Sequence, residues 1–365
     1  MSRRSVVSLI LAVAGAMAVA SADIAASQAV VPAATPALAR IVILATGGTI
    51  AGAQLKEGEP GYKAGTVSIP SLVNAAPGLT KLASISGEQI ASIASQDMSD
   101  FVWLKLARRA RELLASPEVD GIVVTHGTDT LEETGFFLSL VLRSEKPVVL
   151  VGSMRPATSL SPDGPLNLYN AVAVAADPAA RGWGVLAVFN DEVHLARAIQ
   201  KTNTTAVQTF ISPNRGKLGE VYYGKVIYFS SAAPLPTTTT TFALDSIEAL
   251  PRVDIVCAHE GADDTFVKAA VAAGAKGIVL AGVGDGNASK EMIAALVEAA
   301  KRGVVVVRST RVGSGIVRRN IELDDDGFGF VAAFDLNPQK ARILLRMTLT
   351  QTRDVGEIQR LFEQF

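Results

Sequence analysis

Short runs of valine, isoleucine and leucine alternate along this chain with longer segments whose apolar residues recur at helical spacing. The first run, 41–45, ends in a Gly-Thr loop, and a later one, 121–125, ends in a second polar loop. Continuous apolar runs of this length are typical of strands buried on both faces of a sheet. Strands that alternate with helices form right-handed crossovers and build a largely parallel sheet. The pattern therefore predicts an α/β fold.

Further predicted elements extend the alternation. Strands are predicted at 147–151, 184–189, 255–258, 277–281 and 304–307, and helices at 101–115, 131–142, 166–176, 288–301 and 338–351. Two prolines and five consecutive threonines within 230–241 are typical of an interdomain linker. A chain of 365 residues, 49% of them hydrophobic, is long enough for two domains. We predict a larger N-terminal α/β domain at 39–229, a linker at 230–250 and a smaller C-terminal α/β domain at 251–365.

The beginning of the chain has the composition of a secretory signal. Two early arginines precede an apolar run, 6–20, that is too short to span a bilayer comfortably, and Ala20-Ser21-Ala22 offers small residues for cleavage. We predict a signal peptide at 1–22, with an uncleaved membrane anchor as the alternative. The segment 23–38, rich in Ala, Pro and Ser, is expected to be a disordered lead-in. The mature protein would then be soluble, and periplasmic or secreted.

Charge and cysteine content exclude several classes of partner and chemistry. The chain has 34 lysines and arginines against 35 aspartates and glutamates, so it has no strong field for nucleic acid or an anionic membrane. Its only cysteine, Cys257, cannot form an internal disulfide. The apolar neighbours of Cys257 predict a buried strand thiol, with a reactive nucleophile as the alternative.

Two polar loops follow predicted strands at the edge where parallel sheets bind ligands. The loop Thr46-Gly47-Gly48-Thr49-Ile50-Ala51-Gly52 contains the Thr49 hydroxyl, and its glycines either let the backbone approach a ligand or form a structural turn. The second loop contains Thr128 and Asp129, and the Asp129 carboxylate could bind an amino group, orient a lysine or cap the next helix. Because the carboxyl ends of parallel strands share one edge, we expect the two loops to meet.

A third polar segment, Gln200-Lys201-Thr202-Asn203-Thr204-Thr205, surrounds a lysine with hydroxyls and an amide. Desolvation there would depress the pKa of Lys201, whereas a nearby Asp129 would act in the opposite direction. A solvated surface lysine is the alternative interpretation.

Other catalytic designs are poorly supported. The three histidines, His126, His194 and His259, lack the spacing of metal ligands. The Gly-x-Ser-x-Gly elbow of serine hydrolases is missing from the sequence. A glycine-rich run at 282–286 has the wrong spacing for dinucleotide binding. We therefore predict neither a metal nor an organic cofactor.

Eight motifs, in this order, resemble the bacterial type II asparaginase and glutaminase-asparaginase family. They are TGGTIAG (46–52), SQDMSD (95–100), THGTDTLEET (125–134), VGSMRP (151–156), DGPLNLYNAV (163–172), KTNTT (201–205), RST (308–310) and LNPQKAR (336–342). The resemblance extends from about residue 41 to 365. It implies a larger Rossmann-like N-terminal domain with a mainly parallel sheet, a smaller C-terminal α/β domain, and a homotetramer built as a dimer of intimate dimers with sites at the intimate interface.

The resemblance also implies an amidohydrolase that deaminates L-asparagine, with activity on glutamine left open. Thr49 would be the nucleophile that forms an acyl-enzyme, and Tyr62 would help to activate it. Thr128, Asp129 and Lys201 would form a second catalytic cluster. A threonine hydroxyl is a poor nucleophile at neutral pH, so such neighbours are chemically necessary.

Further residues would bind the substrate. Ser95 and Gln96, together with Asp129, would hold the α-carboxylate and α-amino groups. Ser153 stands where alanine is common in the family and would add a hydroxyl at the site. Glu322 would reach the active site of a neighbouring subunit.

One departure and one competing function remain at this stage. Gly261 occupies a position where the family often has asparagine or serine, so substrate discrimination could differ. A non-catalytic periplasmic amino-acid-binding protein would share export, two α/β domains and a cleft. Such a protein would have no need of Thr49, Tyr62 and Lys201 together.

Overall fold

Two mainly parallel sheets, each flanked by helices, organise the chain. The computed structural model describes residues 37–56, 62–230, 240 and 242–365. The predicted signal peptide, nearly all of the predicted lead-in, and most of the Pro-Thr segment 230–241 lie outside these residues. Residues 38–365 form one compact unit.

The elements of this unit are as follows. The strands are β1 (Ala39–Gly47), β2 (Ala53–Gln54), β3 (Tyr62–Lys63), β4 (Ala83–Ile93), β5 (Gly121–Thr125), β6 (Val148–Val151), β7 (Val185–Phe189), β8 (Glu192–Leu195), β9 (Gln200–Lys201), β10 (Phe210–Ile211), β11 (Gly219–Tyr222), β12 (Lys225–Tyr228), β13 (Val253–Cys257), β14 (Gly277–Gly282), β15 (Val305–Thr310) and β16 (Phe330–Ala332). The helices are α1 (Ile69–Asn74), α2 (Leu79–Leu82), α3 (Asp100–Ala115), α4 (Leu131–Val141), α5 (Gly164–Ala176), α6 (Thr265–Ala272), α7 (Lys290–Lys301), α8 (Asp325–Phe328), α9 (Pro338–Thr348) and α10 (Val355–Gln364).

The larger sheet has the order β12-β11-β8-β7-β6-β5-β1-β4. Its strands from β4 to β7 are parallel, whereas β8, β11 and β12 add an antiparallel edge. The turn from β7 to β8 uses only Asn190 and Asp191, both at positive φ, as a tight two-residue hairpin requires. The smaller sheet, β13-β14-β15-β16, is parallel throughout. The predicted α/β fold, with a larger and a smaller sheet, is confirmed.

Side-chain alternation along the central strands divides the core into layers. Val42 and Leu44 of β1 face a cluster built with α3, α4, α9 and α10, whereas Ile41 and Ile43 face a second cluster built with α5. The first cluster also includes Val279 and other residues of the smaller sheet, so α4 and α9 pack between the two sheets. This shared core joins the two halves of residues 38–365.

Each predicted strand and helix is present, within three residues of its predicted bounds. The prediction missed β4, β16, α6, α10, the antiparallel edge β8, β11 and β12, and several shorter elements. The sequence of β4, Ala83 to Ile93, mixes apolar and polar residues without a continuous apolar run, because this strand lies at the sheet edge and much of it is exposed. Within the described residues, none of the helices combines the length and apolar character needed to cross a bilayer.

The prediction of a buried thiol at Cys257 is wrong. Cys257 is the last residue of β13, and β13 is an edge strand of the smaller sheet. Val253 and Val256 of this strand are buried, and so is Ala258 directly after it, whereas Ile255 and Cys257 are exposed. An apolar sequence neighbourhood therefore did not imply burial, because an edge strand has one open side.

A fully buried ion pair holds the C-terminal half together. The guanidinium of Arg308 on β15 donates to both carboxylate oxygens of Asp325, at 2.6 and 2.7 Å, and neither side chain is exposed. Arg308 also donates to the carbonyl of Arg318, and Asp325 accepts from the Asn320 amide. The pair thus anchors the connection between β15 and α8 at several points.

Removing the charge of one partner should destabilise the fold. Asp325→Asn keeps the side-chain shape but leaves the Arg308 charge buried and unpaired, so the unfolding free energy should fall by about 3–5 kcal/mol. Chemical denaturation measures this value. Glu298→Gln, in the exposed pair with Lys301, is the matched control and should have little effect. Equal losses of unfolding free energy in Asp325→Asn and Glu298→Gln would contradict the structural importance of the buried pair.

Candidate active site

Three loops meet at the carboxyl ends of three adjacent parallel strands. Thr49 follows β1 in a short 3-10 turn, Thr128 and Asp129 follow β5, and Ser95 follows β4 in a second 3-10 turn. The order β5-β1-β4 in the sheet makes these strands neighbours. The expected meeting of the Thr49 and Thr128 loops is therefore confirmed, and the SQDMSD segment joins them.

Two glycines allow the loops to approach each other. A Cβ atom on Gly48 would lie 2.3 Å from the N and Cα atoms of Gly127, and Gly48 has a φ of +79°. A Cβ atom on Gly127 would lie 2.6 Å from the Ser95 hydroxyl oxygen. Only glycine permits such backbone contact. Thr49 and Thr128 directly follow these two glycines, so the sequence places the two hydroxyl residues beside the contact.

Hydrogen bonds fix the loop that contains Thr49. The Gly48 amide donates to the Ile93 carbonyl at the end of β4, at 2.9 Å. The Thr46 hydroxyl donates to the Thr125 carbonyl at the end of β5, also at 2.9 Å. Thr49 itself is 5% exposed. Its hydroxyl is thus carried by backbone that is tied to strands on both sides.

Lys201 joins the cluster from a distant part of the chain. Its ammonium donates to the Thr128 hydroxyl at 2.9 Å and to the Asp129 carboxylate at 2.6 Å. The Lys201 side chain is 18% exposed, whereas Asp129 is 54% exposed. Lys201 is therefore not a solvated surface lysine. Asp129 does not cap the following helix either, because the N-cap of α4 is Thr130 and makes no side-chain capping bond.

The hairpin of β9 and β10 supports Lys201. The amide and hydroxyl of Thr202 both donate to the Thr209 carbonyl, at 2.8 and 2.9 Å. The Asn203 amide donates to the Thr209 hydroxyl, and the Asn203 side chain accepts from the amides of Thr205 and Ala206. The Thr202 hydroxyl and the Asn203 side chain of the KTNTT segment thus hold the hairpin, while Lys201 extends into the cluster.

Ser95 belongs to the same cluster. Its hydroxyl accepts a hydrogen bond from the Asp129 amide at 3.1 Å, and its carbonyl accepts from the Thr130 hydroxyl at 2.7 Å. Ser95 is 3% exposed, while the neighbouring Gln96 is exposed. One side chain is therefore locked beside Asp129, and the other is accessible.

The other predicted site residues, Ser153, Tyr62 and Glu322, lie in other segments of the chain. Ser153 is buried after β6, and its hydroxyl donates to the Arg155 carbonyl at 2.8 Å. Tyr62 begins β3, whose backbone pairs with Gln54 of β2. Glu322 is exposed, and no hydrogen bond or ion pair connects it to the cluster in the described part of this single chain. Hydrogen bonds thus link Thr128, Asp129, Lys201 and Ser95, and the contact between Gly48 and Gly127 places Thr49 beside them.

A buried histidine supports the second loop, a role that sequence reasoning missed. The His126 Nδ1 donates to the Gly127 carbonyl at 2.7 Å. Burial lowers the pKa of the His126 imidazole to about 4, so the ring is neutral at pH 7 and its Nε2 accepts from the Thr134 hydroxyl at 2.9 Å. The Thr134 oxygen in turn accepts from the Trp103 indole at 2.8 Å. The position of His126 inside the THGTD motif was the only signal for this role.

Among the described residues, no group of three or more histidine, cysteine, aspartate or glutamate side chains could hold a metal ion. The polar groups at the junction of the loops are hydroxyls, one carboxylate and one ammonium. This set can activate a hydroxyl, orient a zwitterion and stabilise a developing negative charge.

Comparison with known proteins identifies the family. The model for the N-terminal domain of asparaginase matches residues 40–234, and the model for the glutaminase/asparaginase C-terminal domain matches residues 252–362. The chain belongs to the asparaginase family. This membership agrees with the resemblance drawn from the eight motifs.

Individual asparaginase relatives cover nearly the whole chain. The sequence is 52% identical to a probable periplasmic L-asparaginase of Haemophilus influenzae, over 90% of this chain and 93% of that protein. It is 50% identical to L-asparaginase 2 of Escherichia coli, over 90% and 94%, and 47% identical to a glutaminase-asparaginase of Pseudomonas fluorescens, over 90% and 91%. The crystal structure of a probable cytoplasmic L-asparaginase from Campylobacter jejuni matches with a TM-score of 0.86 and 44% identity, over 90% of this chain and all of that one.

The buried histidine predicts an acid-sensitive fold for this asparaginase-family chain. The pKa of His126 is about 4 when folded and about 6.5 when unfolded, so the unfolded chain binds the proton more readily. This contribution to stability, up to about 3 kcal/mol, is complete above pH 6.5 and is lost as the pH falls towards 4. Chemical denaturation at pH 7 and pH 5 measures how much unfolding free energy is lost on acidification. This loss should be smaller in His126→Gln than in the unmodified chain.

Two further histidines define the controls. Part of the acid-induced loss of unfolding free energy should remain in His126→Gln, because burial also lowers the pKa of His194 to about 4. His259→Gln should leave the loss unchanged, because His259 is exposed in the folded chain as well as in the unfolded one. An equal acid-induced loss in His126→Gln and the unmodified chain would contradict the assignment.

Proposed function

We propose that this protein is an L-asparaginase that hydrolyses L-asparagine to L-aspartate and ammonia through an acyl-enzyme on Thr49. The observation that carries the proposal is the Lys201 ammonium, hydrogen-bonded to Thr128 and Asp129 beside the loop that contains Thr49. The relatives named L-asparaginase and glutaminase-asparaginase support the same reaction.

The reaction proceeds in two acyl-transfer steps. The Thr49 oxygen attacks the side-chain amide carbon of asparagine, and its proton is transferred through Tyr62 or through the Thr128–Lys201 pair. The amide oxygen gains negative charge, and backbone amides of the glycine-rich loop are its hydrogen-bond donors. The C–N bond then breaks, and ammonia leaves with the added proton. Water attacks the resulting ester, which releases aspartate and restores the threonine hydroxyl.

Asp129 serves both the lysine and the substrate in this proposal. One carboxylate oxygen accepts from Lys201, and the carboxylate is half exposed, which leaves room for the α-ammonium of asparagine. Ser95 and Gln96, on the neighbouring loop, hold the α-carboxylate, and Ser153 adds a hydroxyl at the site. The Asp129–Lys201 bond keeps the ammonium next to the Thr128 hydroxyl.

The assembly and location of the protein are part of the same proposal. It is exported to the periplasm or secreted after cleavage of 1–22, and it forms a homotetramer in which Glu322 completes the site of a neighbouring subunit. The matched ranges 40–234 and 252–362 support domains at 39–229 and 251–365. A relative named as a probable periplasmic L-asparaginase supports this location, whereas the structural relative is named as a probable cytoplasmic one.

The competing function, a non-catalytic amino-acid-binding protein, is not supported. The curated relatives named above carry the names of amide-hydrolysing enzymes. A binding protein would also have no need of a lysine hydrogen-bonded to a buried threonine hydroxyl beside a second buried threonine.

Removal of the nucleophile tests the proposal directly. Thr49→Ala deletes the attacking oxygen while keeping the backbone, so ammonia release from asparagine should fall by at least about 10⁴-fold. A coupled ammonia assay on both purified mature proteins measures this change, with circular dichroism as the folding control. Ammonia release by a folded Thr49→Ala protein at the original rate would refute the acyl-enzyme on Thr49.

Substrate preference forms a separate prediction. Asparagine and glutamine differ by one methylene, which a pocket separates by about 1–3 kcal/mol. We expect measurable turnover of both amides, with kcat/KM higher for asparagine. Steady-state kinetics on the two substrates give the ratio. An undetectable asparagine rate beside a robust glutamine rate would reverse the assignment of the primary substrate.

A further inference from the structure

A buried lysine lies behind the proposed active site. Lys340 belongs to the first turn of α9, where Asn337 is the N-cap and accepts from the Lys340 amide at 3.0 Å. The side chain of Lys340 is only 4% exposed. A lysine in an amphipathic helix normally extends into water, so this orientation into the protein requires a physical reason.

The ammonium of Lys340 contacts two separate segments of the N-terminal half. It donates a hydrogen bond to the Ile199 carbonyl, and it lies 3.6 Å from a carboxylate oxygen of Glu132 on the first turn of α4. The Asn337 side chain donates to the same Glu132 oxygen at 3.2 Å. The beginning of α9 is thus attached both to α4 and to the irregular segment directly before β9.

These two attachment points are adjacent in sequence to the proposed catalytic residues. Ile199 precedes Lys201 by two residues, and Glu132 follows Asp129 by three. One buried ammonium therefore connects the segment that carries Lys201 to the segment that carries Asp129. The Lys201–Asp129 bond of 2.6 Å closes the same connection on the side of the active site.

Electrostatics agree with this geometry. Burial lowers the pKa of Lys340 to about 8, although the neighbouring Glu132 and Asp335 act in the opposite direction, so the ammonium is charged at pH 7. Burial also raises the pKa of Glu132, with Lys340 and Asn337 opposing that shift. Burying such a pair is costly, and a pair of well-packed neutral side chains can be equally stable. Stability alone therefore does not account for a lysine at this position.

We propose that Lys340 is a positioning residue for the amidohydrolase reaction: it holds the segments of Lys201 and Asp129 at the separation that the catalytic hydrogen bonds require. The inference rests on the proposed function. It assigns to the C-terminal half a role within the same chain, in which α9 sets the geometry of a site built on the larger sheet.

The test compares four variants by steady-state ammonia release from asparagine and by thermal unfolding. Lys340→Met removes the ammonium and keeps an unbranched chain, so kcat should fall by about 10- to 100-fold, because small misplacements of catalytic groups cost that much. Glu132→Gln keeps the bond to Ile199 and a side-chain oxygen that can still accept from Lys340 and Asn337, so both attachments remain and its kcat should stay within about threefold of the original.

The double variant Glu132→Gln with Lys340→Met separates positioning from stability. It removes both buried charges, so its melting temperature should recover relative to Lys340→Met, whereas its kcat should remain low because the bond to Ile199 is still missing. This variant also replaces Lys340→Met if the latter does not fold. Recovery of kcat together with the melting temperature would overturn the proposal.

Arg346→Met provides the matched control on the same helix. Arg346 is buried and binds both carboxylate oxygens of Asp100 on α3, at 2.9 and 2.5 Å, away from Lys201 and Asp129. The Arg346→Met substitution should lower the melting temperature and leave kcat unchanged at a temperature where the protein is folded. A loss of kcat in Arg346→Met equal to that in Lys340→Met would also overturn the proposal.

Crystal structures keep this inference separate from the proposed function. In Lys340→Met, or in the double variant, the distance from the Lys201 nitrogen to the Thr128 oxygen should exceed 3.5 Å, compared with 2.9 Å in the unmodified chain. An unchanged distance refutes positioning by Lys340. If the unmodified protein released no ammonia, the proposed function would fail. The distance would still test whether Lys340 positions Lys201.

Discussion

The contact between Gly48 and Gly127 is the constraint on which the rest of the site depends. Two chain segments from neighbouring strands approach so closely that a Cβ atom on Gly48 would overlap the backbone of Gly127, and a Cβ atom on Gly127 would overlap the Ser95 side chain. This approach brings Thr49 and Thr128, the residues that follow the glycines, to the same end of the sheet. Larger residues would force the loops apart, and the hydroxyls would then separate along with the backbone.

The charged side chains around this contact come from distant parts of the chain. Lys201 reaches the Thr128 hydroxyl from the β9–β10 hairpin, and Asp129 holds its ammonium in place. Behind them, Lys340 connects the same two segments to α9. The larger sheet thus provides the backbone of the site, while α9, in our proposal, maintains the spacing of its charged groups. The shared core between the sheets makes this division of roles mechanically possible.

The fold was largely predictable from sequence, because parallel strands that are buried on both faces have continuous apolar runs. The positions of Thr49 and Thr128 after β1 and β5 were predictable for the same reason. The prediction missed β4 because an exposed edge strand has a mixed pattern, and it placed Cys257 inside because the sequence does not reveal which strand lies at an edge.

Long-range pairing was the part that residue patterns alone did not provide. Lys201 and Asp129 are 72 positions apart, and each had a plausible bland interpretation, a surface lysine and a helix cap. The residue patterns raised this pairing only as one of several alternatives, and the family resemblance selected it before the structure did. Lys340 was missed for a similar reason, since an amphipathic helix predicts that its lysines are solvated, and no local signal marks one that turns inward.

The most direct test of this account is the turnover of asparagine by Lys201→Met, measured beside its melting temperature. Lys201 is partly exposed and carries little of the core, so the variant should fold with a nearly unchanged melting temperature. Its kcat should fall by at least about 100-fold, because proton transfer around the threonine hydroxyls would lose its charged partner. A folded Lys201→Met protein with near-normal kcat would contradict the central role of this lysine.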